Sequence, residues 1–101
     1  MENAVADWGS IIRGAGEIFQ GINDSAIINN WLRMDDSGAY DSIVAQVRSS
    51  STDDVDRLDA ALLTLASNQF DSSARRRLVK FYAMFKMAEL LRYEQFRGFP
   101  S

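Results

Sequence analysis

The chain contains no cysteine and no histidine. Without thiols there is no disulfide, no thiol nucleophile and no thiolate metal site. Without imidazole the usual general base is gone, together with the Ser-His-Asp and Cys-His arrangements and nearly all zinc sites. Enzymology would have to rest on carboxylate, Lys, Tyr or Ser chemistry. Each of those needs a clustered constellation, and the sequence shows none, so no catalytic residue, metal, cofactor or small-molecule substrate is expected.

Long apolar runs are missing as well. The longest is Phe81 to Phe85, far short of the roughly 18 residues that a membrane-spanning helix needs, and no membrane partner is expected. The opening residues, MENAVADWGS, have neither a basic leader nor an apolar h-region, so the expected location is cytoplasmic, or the host-cell interior for a viral protein. Asn23-Asp24-Ser25 matches a glycosylation sequon, which without secretion is read as chance.

Proline occurs once, at position 100, and nowhere does the chain alternate cleanly between apolar and polar residues as a half-buried strand does. No internal repeat is present. The reading is all-α: one domain over residues 1–101, a compact bundle of four to five helices with a long C-terminal helix.

What the chain does have is a long uninterrupted stretch from Asp71 to Phe96, with no Pro or Gly until Gly98. Asp71, Ser72 and Ser73 offer side-chain oxygens to its first free N–H groups. At about 1.5 Å per residue such a helix runs to roughly 38 Å, so it must span the body or project from it. Leu78, Phe81, Tyr82, Phe85 and Phe96 share one face, while Val79, Met84, Met87, Leu90 and Leu91 spread over the others. A helix apolar nearly all round is central or shared with another chain.

Ahead of it, Val5, Trp8, Ile11, Ile12, Ala15, Ile18 and Phe19 recur at helical spacing and predict a first helix from Asn3 or Ala4 to about Gln20. Gly14-Ala15-Gly16 is read as a point of close helix approach; it is not a phosphate loop, because no strand precedes it and no Lys-Ser or Lys-Thr follows. Asn23 to Ser25 is expected to cap a second helix, Ala26 to about Met34, whose Ile27, Ile28, Trp31 and Leu32 face the core. Asp35-Asp36-Ser37-Gly38 reads as a turn and lacks the pattern of a calcium loop. A short helix follows from Tyr40 or Asp41 to Arg48. Another begins at Ser51 or Thr52 and buries Val55, Leu58, Ala61, Leu62 and Leu65. The acids Asp53, Asp54, Asp56 and Asp59 in its first turns suit the positive end of the helix dipole.

Charge is unevenly spread. Residues 1–74 hold twelve acidic and four basic side chains, residues 75–101 two acidic and seven basic. Such asymmetry either closes on itself or points to an acidic partner. Arg75-Arg76-Arg77 stands out, because the start of a helix disfavours positive charge. In an antiparallel hairpin of the last two helices, Asp59 is expected near Lys80 and Asp53 and Asp54 near Lys86, leaving the triplet opposite the uncharged Thr64-Leu65-Ala66-Ser67. The triplet is then either solvated, paired with Asp35, Asp36 or Asp41 across the fold, or free to bind phosphate or an acidic protein through its forked donors. The sequence pI near 4.8 stands against a dedicated nucleic-acid-binding domain.

The expected function is a small non-enzymatic helical protein-binding module, a subunit, adaptor or inhibitor in a larger protein assembly, with protein partners or self-association into an oligomer. The alternative is a nucleic-acid-associated helical subunit contacting phosphates through Arg75, Arg76, Arg77 and Lys80. Aromatics and Met are enriched at interface cores, so the partner-binding residues are expected to include Met84, Met87, Leu91, Phe96 and Phe99 besides the basic cluster.

Overall fold

The computed structural model describes Ile11 and residues 23–97, and for Gln95, Phe96 and Arg97 the backbone only. The predicted first helix, with Gly14-Ala15-Gly16, lies outside the described residues except for Ile11, which is helical and packs against the core. The described residues are all-helical: α1 (Asp24–Leu32), α2 (Asp36–Ser49), α3 (Thr52–Ser67) and α4 (Ser72–Arg97). No described helix is long and apolar enough to cross a membrane.

Local chemistry sets most of the boundaries. Ser51 accepts a hydrogen bond from the Asp54 backbone N–H at 3.1 Å and starts α3 where its capping signal stands. Asp71 does the same for α4 through the Ala74 N–H at 2.9 Å. At α2 the expected turn is instead the helix start. Asp35 accepts from the Gly38 N–H at 2.8 Å, so α2 begins at Asp36 and carries Gly38 in its first turn. A strong cap offset the cost of one early glycine, and the turn-like composition misplaced the boundary by about a helical turn.

At α1 the expected cap is absent: Asn23 makes no side-chain cap bond. Asp24 is buried and reaches Arg57 of α3, 3.6 Å away. With nine residues, α1 is too short to hold its shape alone. Its stability comes from burying Ile28, Trp31 and Leu32, and the Trp31 ring centroid lies 6.0 Å from that of Phe85.

The long helix organises the rest. Its 26 residues, about 39 Å at the ordinary rise, run nearly the full 44 Å of the body's longest dimension. It packs against both α2 and α3, which touch each other little. Short connections make α2 and α3, and α3 and α4, antiparallel, so α2 comes out parallel to α4. Asp36 at the start of α2 meets Arg77 and Lys80 near the start of α4, and Val47 near its end meets Arg92. The core is contributed by Ala74, Leu78, Phe81, Phe85 and Ala88 of α4, by Ile43 and Val47 of α2, and by the predicted Val55, Leu58, Ala61, Leu62 and Leu65 of α3.

Candidate interaction face

The buried residues of α4 fall on one side of the helix when projected at 100° per residue. Arg76, Ala83 and Glu94 project from the opposite side, with Val79, Met87 and Leu90 within about 50° of them. All six are exposed. Val79 is 53% exposed, Met87 50% and Leu90 63%, so three large apolar groups share one outward strip on the side of α4 away from its buried face. Leu91, 36% exposed, lies at its edge.

Of the residues expected to bind a partner, Met87 and Leu91 are thus exposed, while Met84 is half-buried and packs against the core. The Phe96 side chain and Phe99 lie outside the described residues. Val79 and Leu90, which the sequence marks only as apolar residues off the main face of the long helix, join Met87 and Leu91. Their signal was in the spacing, because residues 79, 83, 87 and 90 repeat at four, four and three.

The basic cluster divides. Arg77 sits over the Phe81 ring, 4.6 Å from its centroid, and donates to the backbone carbonyls of Leu32 at 3.1 Å and Met34 at 2.8 Å. It also pairs with Asp36 at 3.3 Å. The last turn of α1 has no basic residue of its own, and Arg77 supplies one from across the fold, where the dipole favours it. Lys80 pairs with the same Asp36 at 2.9 Å, and its hydrogen bond holds the Asp36 carboxyl below the usual range. Arg75 donates to the Gln69 carbonyl at 3.2 Å. Arg76 is exposed and forms no ion pair with any described residue, and the same holds for Glu94. The pairing with Asp36 is the arrangement weighed for the triplet, and it involves one arginine of the three.

The expected neighbour of Asp59 is displaced. Asp59 accepts from the Tyr82 hydroxyl at 2.8 Å and pairs with Lys86 at 2.7 Å, not with Lys80. Lys80 is level with Asp59 along the hairpin but 200° round the helix from Tyr82, facing α2. Lys86 reaches back because helical side chains lean towards their own N-terminus, which for α4 is towards the turn. Lys86 also pairs with Glu89 at 2.7 Å.

The protonation equilibria of this cluster follow from its contacts. Burial, reinforced by Asp59, pushes the Tyr82 phenol up. The bonds to Asp59 and Glu89 hold the Lys86 ammonium above its ordinary value. Burial raises the Glu89 carboxyl despite Lys86. Through Asp59 the cluster ties α3 to α4. Among the described residues no group of acidic side chains gathers to hold a metal. A groove of 240 Å³ between α1 and α2, and one of 190 Å³ where the start of α3 meets the end of α4, are smaller than the ~300 Å³ at which ligand sites begin.

Set beside protein-family models, curated proteins and solved structures, the chain matches none of them.

Proposed function

We propose that the chain is a small non-enzymatic protein-binding module, acting as a subunit, adaptor or inhibitor in a larger assembly in the cytoplasm, and that it binds through the outward strip of α4. The observation that carries this reading is the continuous row of Val79, Met87 and Leu90, each at least half exposed, on the one face of the longest helix that no described neighbour covers. Scattered single apolar residues are ordinary on a protein surface, whereas a row aligned along a rigid helix is the form in which helices are recognised by other helices and by grooves. The absence of Cys and His from the whole sequence weighs against chemistry.

The nucleic-acid reading is weaker. Of its four basic groups, Arg77 and Lys80 are engaged with Asp36, and Arg77 is further occupied by two carbonyls. What remains, Arg75 and Arg76, is too few charges for an acidic chain to hold a polyanion at ordinary salt.

The test places a photo-cross-linking amino acid at Leu90 and, as a control, at the exposed Thr64 of α3, in cells producing the chain. Discrete protein adducts at position 90 and not at 64 are expected. Equal labelling at both positions, or none at either, would remove the basis for the reading.

A further inference from the structure

We infer that the outward strip of α4 pairs with the same strip of a second copy of this chain, antiparallel, about a two-fold axis at the level of Phe85. The inference rests on the protein-binding reading above and names its partner. The strip is self-complementary in that orientation. The level of Phe85 is midway between Arg76 and Glu94, and also midway between Ala83 and Met87. Turning one copy end over end about that level therefore lays Arg76 against Glu94 of the second copy, and Ala83 against its Met87. Val79 falls within one residue of Leu90 in the same way.

Each juxtaposition is chemically apt. Ala83 leaves room for the long flexible Met87, so small meets large as in an interdigitated helix pair. Val79 and Leu90 flank that centre with apolar contact. Arg76 and Glu94, which form no ion pair with any described residue, close both ends of the strip with opposite charges, and two-fold symmetry repeats the pair. Neither charge is placed to suit its own helix. Arg76 lies near the positive end of the α4 dipole and Glu94 near the negative end. A parallel pair of the same helices would set Arg76 on Arg76 and Glu94 on Glu94, and like charges at matching positions select against it. A different protein would have to bring its own complement, whereas the second copy already carries it.

Three apolar side chains and the two charges that flank them make a small contact on each copy, so the dimer should be of the weak, reversible kind. Sedimentation or light scattering of the full chain, from low micromolar to millimolar concentration, is expected to show a monomer–dimer equilibrium. Arg76→Glu sets Glu against Glu twice and should weaken dimerisation by about tenfold or more. Adding Glu94→Arg in the same chain should restore it to within about threefold of the unmodified chain. Both residues are exposed, so circular dichroism should be unchanged in either variant. Because the chain has no cysteine of its own, orientation can be read by oxidation: Ala83→Cys mixed with Met87→Cys should give a disulfide-linked dimer, and Met87→Cys alone should not.

A wild-type chain that stays monomeric throughout overturns the inference, as does a dimer indifferent to Arg76→Glu or one that cross-links Met87→Cys to itself. A monomer that still yields protein adducts at position 90 overturns the dimer and leaves the protein-binding reading in place. A monomer with no adducts overturns both.

Discussion

The guanidinium of Arg77 donates to the backbone carbonyl of Met34 at 2.8 Å, joining the second turn of α4 to the chain just past the end of α1. The same fork reaches Leu32 and Asp36. A charge that is badly placed for its own helix is well placed for another, because the carbonyls at a helix end lack intrahelical partners. Arg92 repeats the device at the other end of the body, donating to the Val47 carbonyl near the end of α2 at 3.0 Å. The basic end of the sequence therefore closes largely on the helix ends and acids of the earlier part.

Arg77→Ala should accordingly cost about 2 kcal/mol of unfolding free energy, the scale of losing charge-assisted bonds to groups that stay half-buried. Arg77→Lys should recover less than half of that, since one ammonium cannot reach two carbonyls and a carboxylate together. Arg76→Ala should stay within about 0.5 kcal/mol of the parent. Urea denaturation separates these, and equal costs at 76 and 77 would mean that the contacts of Arg77 contribute nothing net.

The all-helical fold was legible because each core stripe repeats at helical spacing, and Val55, Leu58, Ala61, Leu62 and Leu65 are buried as the pattern required. The start of α2 was not legible, because Asp35 to Gly38 has the composition of a turn and only the geometry of the Asp35 cap distinguishes a helix start from it. The candidate face was half legible. Met87 and Leu91 could be selected as surplus apolar surface, but choosing between Met84 and Leu90 requires knowing that the core takes up the first and leaves the second open. Likewise the pairing of Arg77 with Asp36 crosses 41 residues, and no local rule predicts that distance.

Gly38 gives a test of the cap. An exposed helical Gly→Ala change ordinarily stabilises by up to about 1 kcal/mol. Here the added Cβ would lie 2.9 Å from the Asp35 Oδ1 that caps α2, so the carboxylate must move. Gly38→Ala is expected to give no net gain, and Asp35→Ala to cost about 1 kcal/mol. A clear stabilisation by Gly38→Ala, measured by thermal or urea unfolding, would show that the cap contributes little.

Two carboxylates should give opposite pH trends. The Asp36 carboxyl is held below its ordinary 3.8 by Lys80 and Arg77, so its contribution is present above that pH and lost as pH falls through the folded-state value. The Glu89 carboxyl is raised above 4.5 by burial, so its contribution is present below 4.5 and lost as pH rises through the folded-state value. Asp36→Asn should therefore become relatively more harmful as pH rises towards 3.8, and Glu89→Gln relatively less harmful as pH rises above 4.5. Urea titrations of each variant beside the parent at several pH values read both slopes. Parallel curves for either variant would contradict the shift assigned to that group.

The tie between α3 and α4 makes the last prediction. Asp59 holds both Tyr82 and Lys86, and its side chain is only 18% exposed. Removing the carboxylate leaves a partly buried hydroxyl and an ammonium without that partner, whereas removing the hydroxyl leaves Asp59 still paired with Lys86. Asp59→Ala should thus cost about 2 kcal/mol and Tyr82→Phe about 1 kcal/mol. The double variant should cost less than the two together, because the Tyr82 hydroxyl has nothing to lose once Asp59 is gone. A coupling of about 0.5 kcal/mol or more is expected from the cycle. Strict additivity would mean that the 2.8 Å contact is geometric proximity without energetic consequence, and that α3 is held to α4 by its apolar side chains alone.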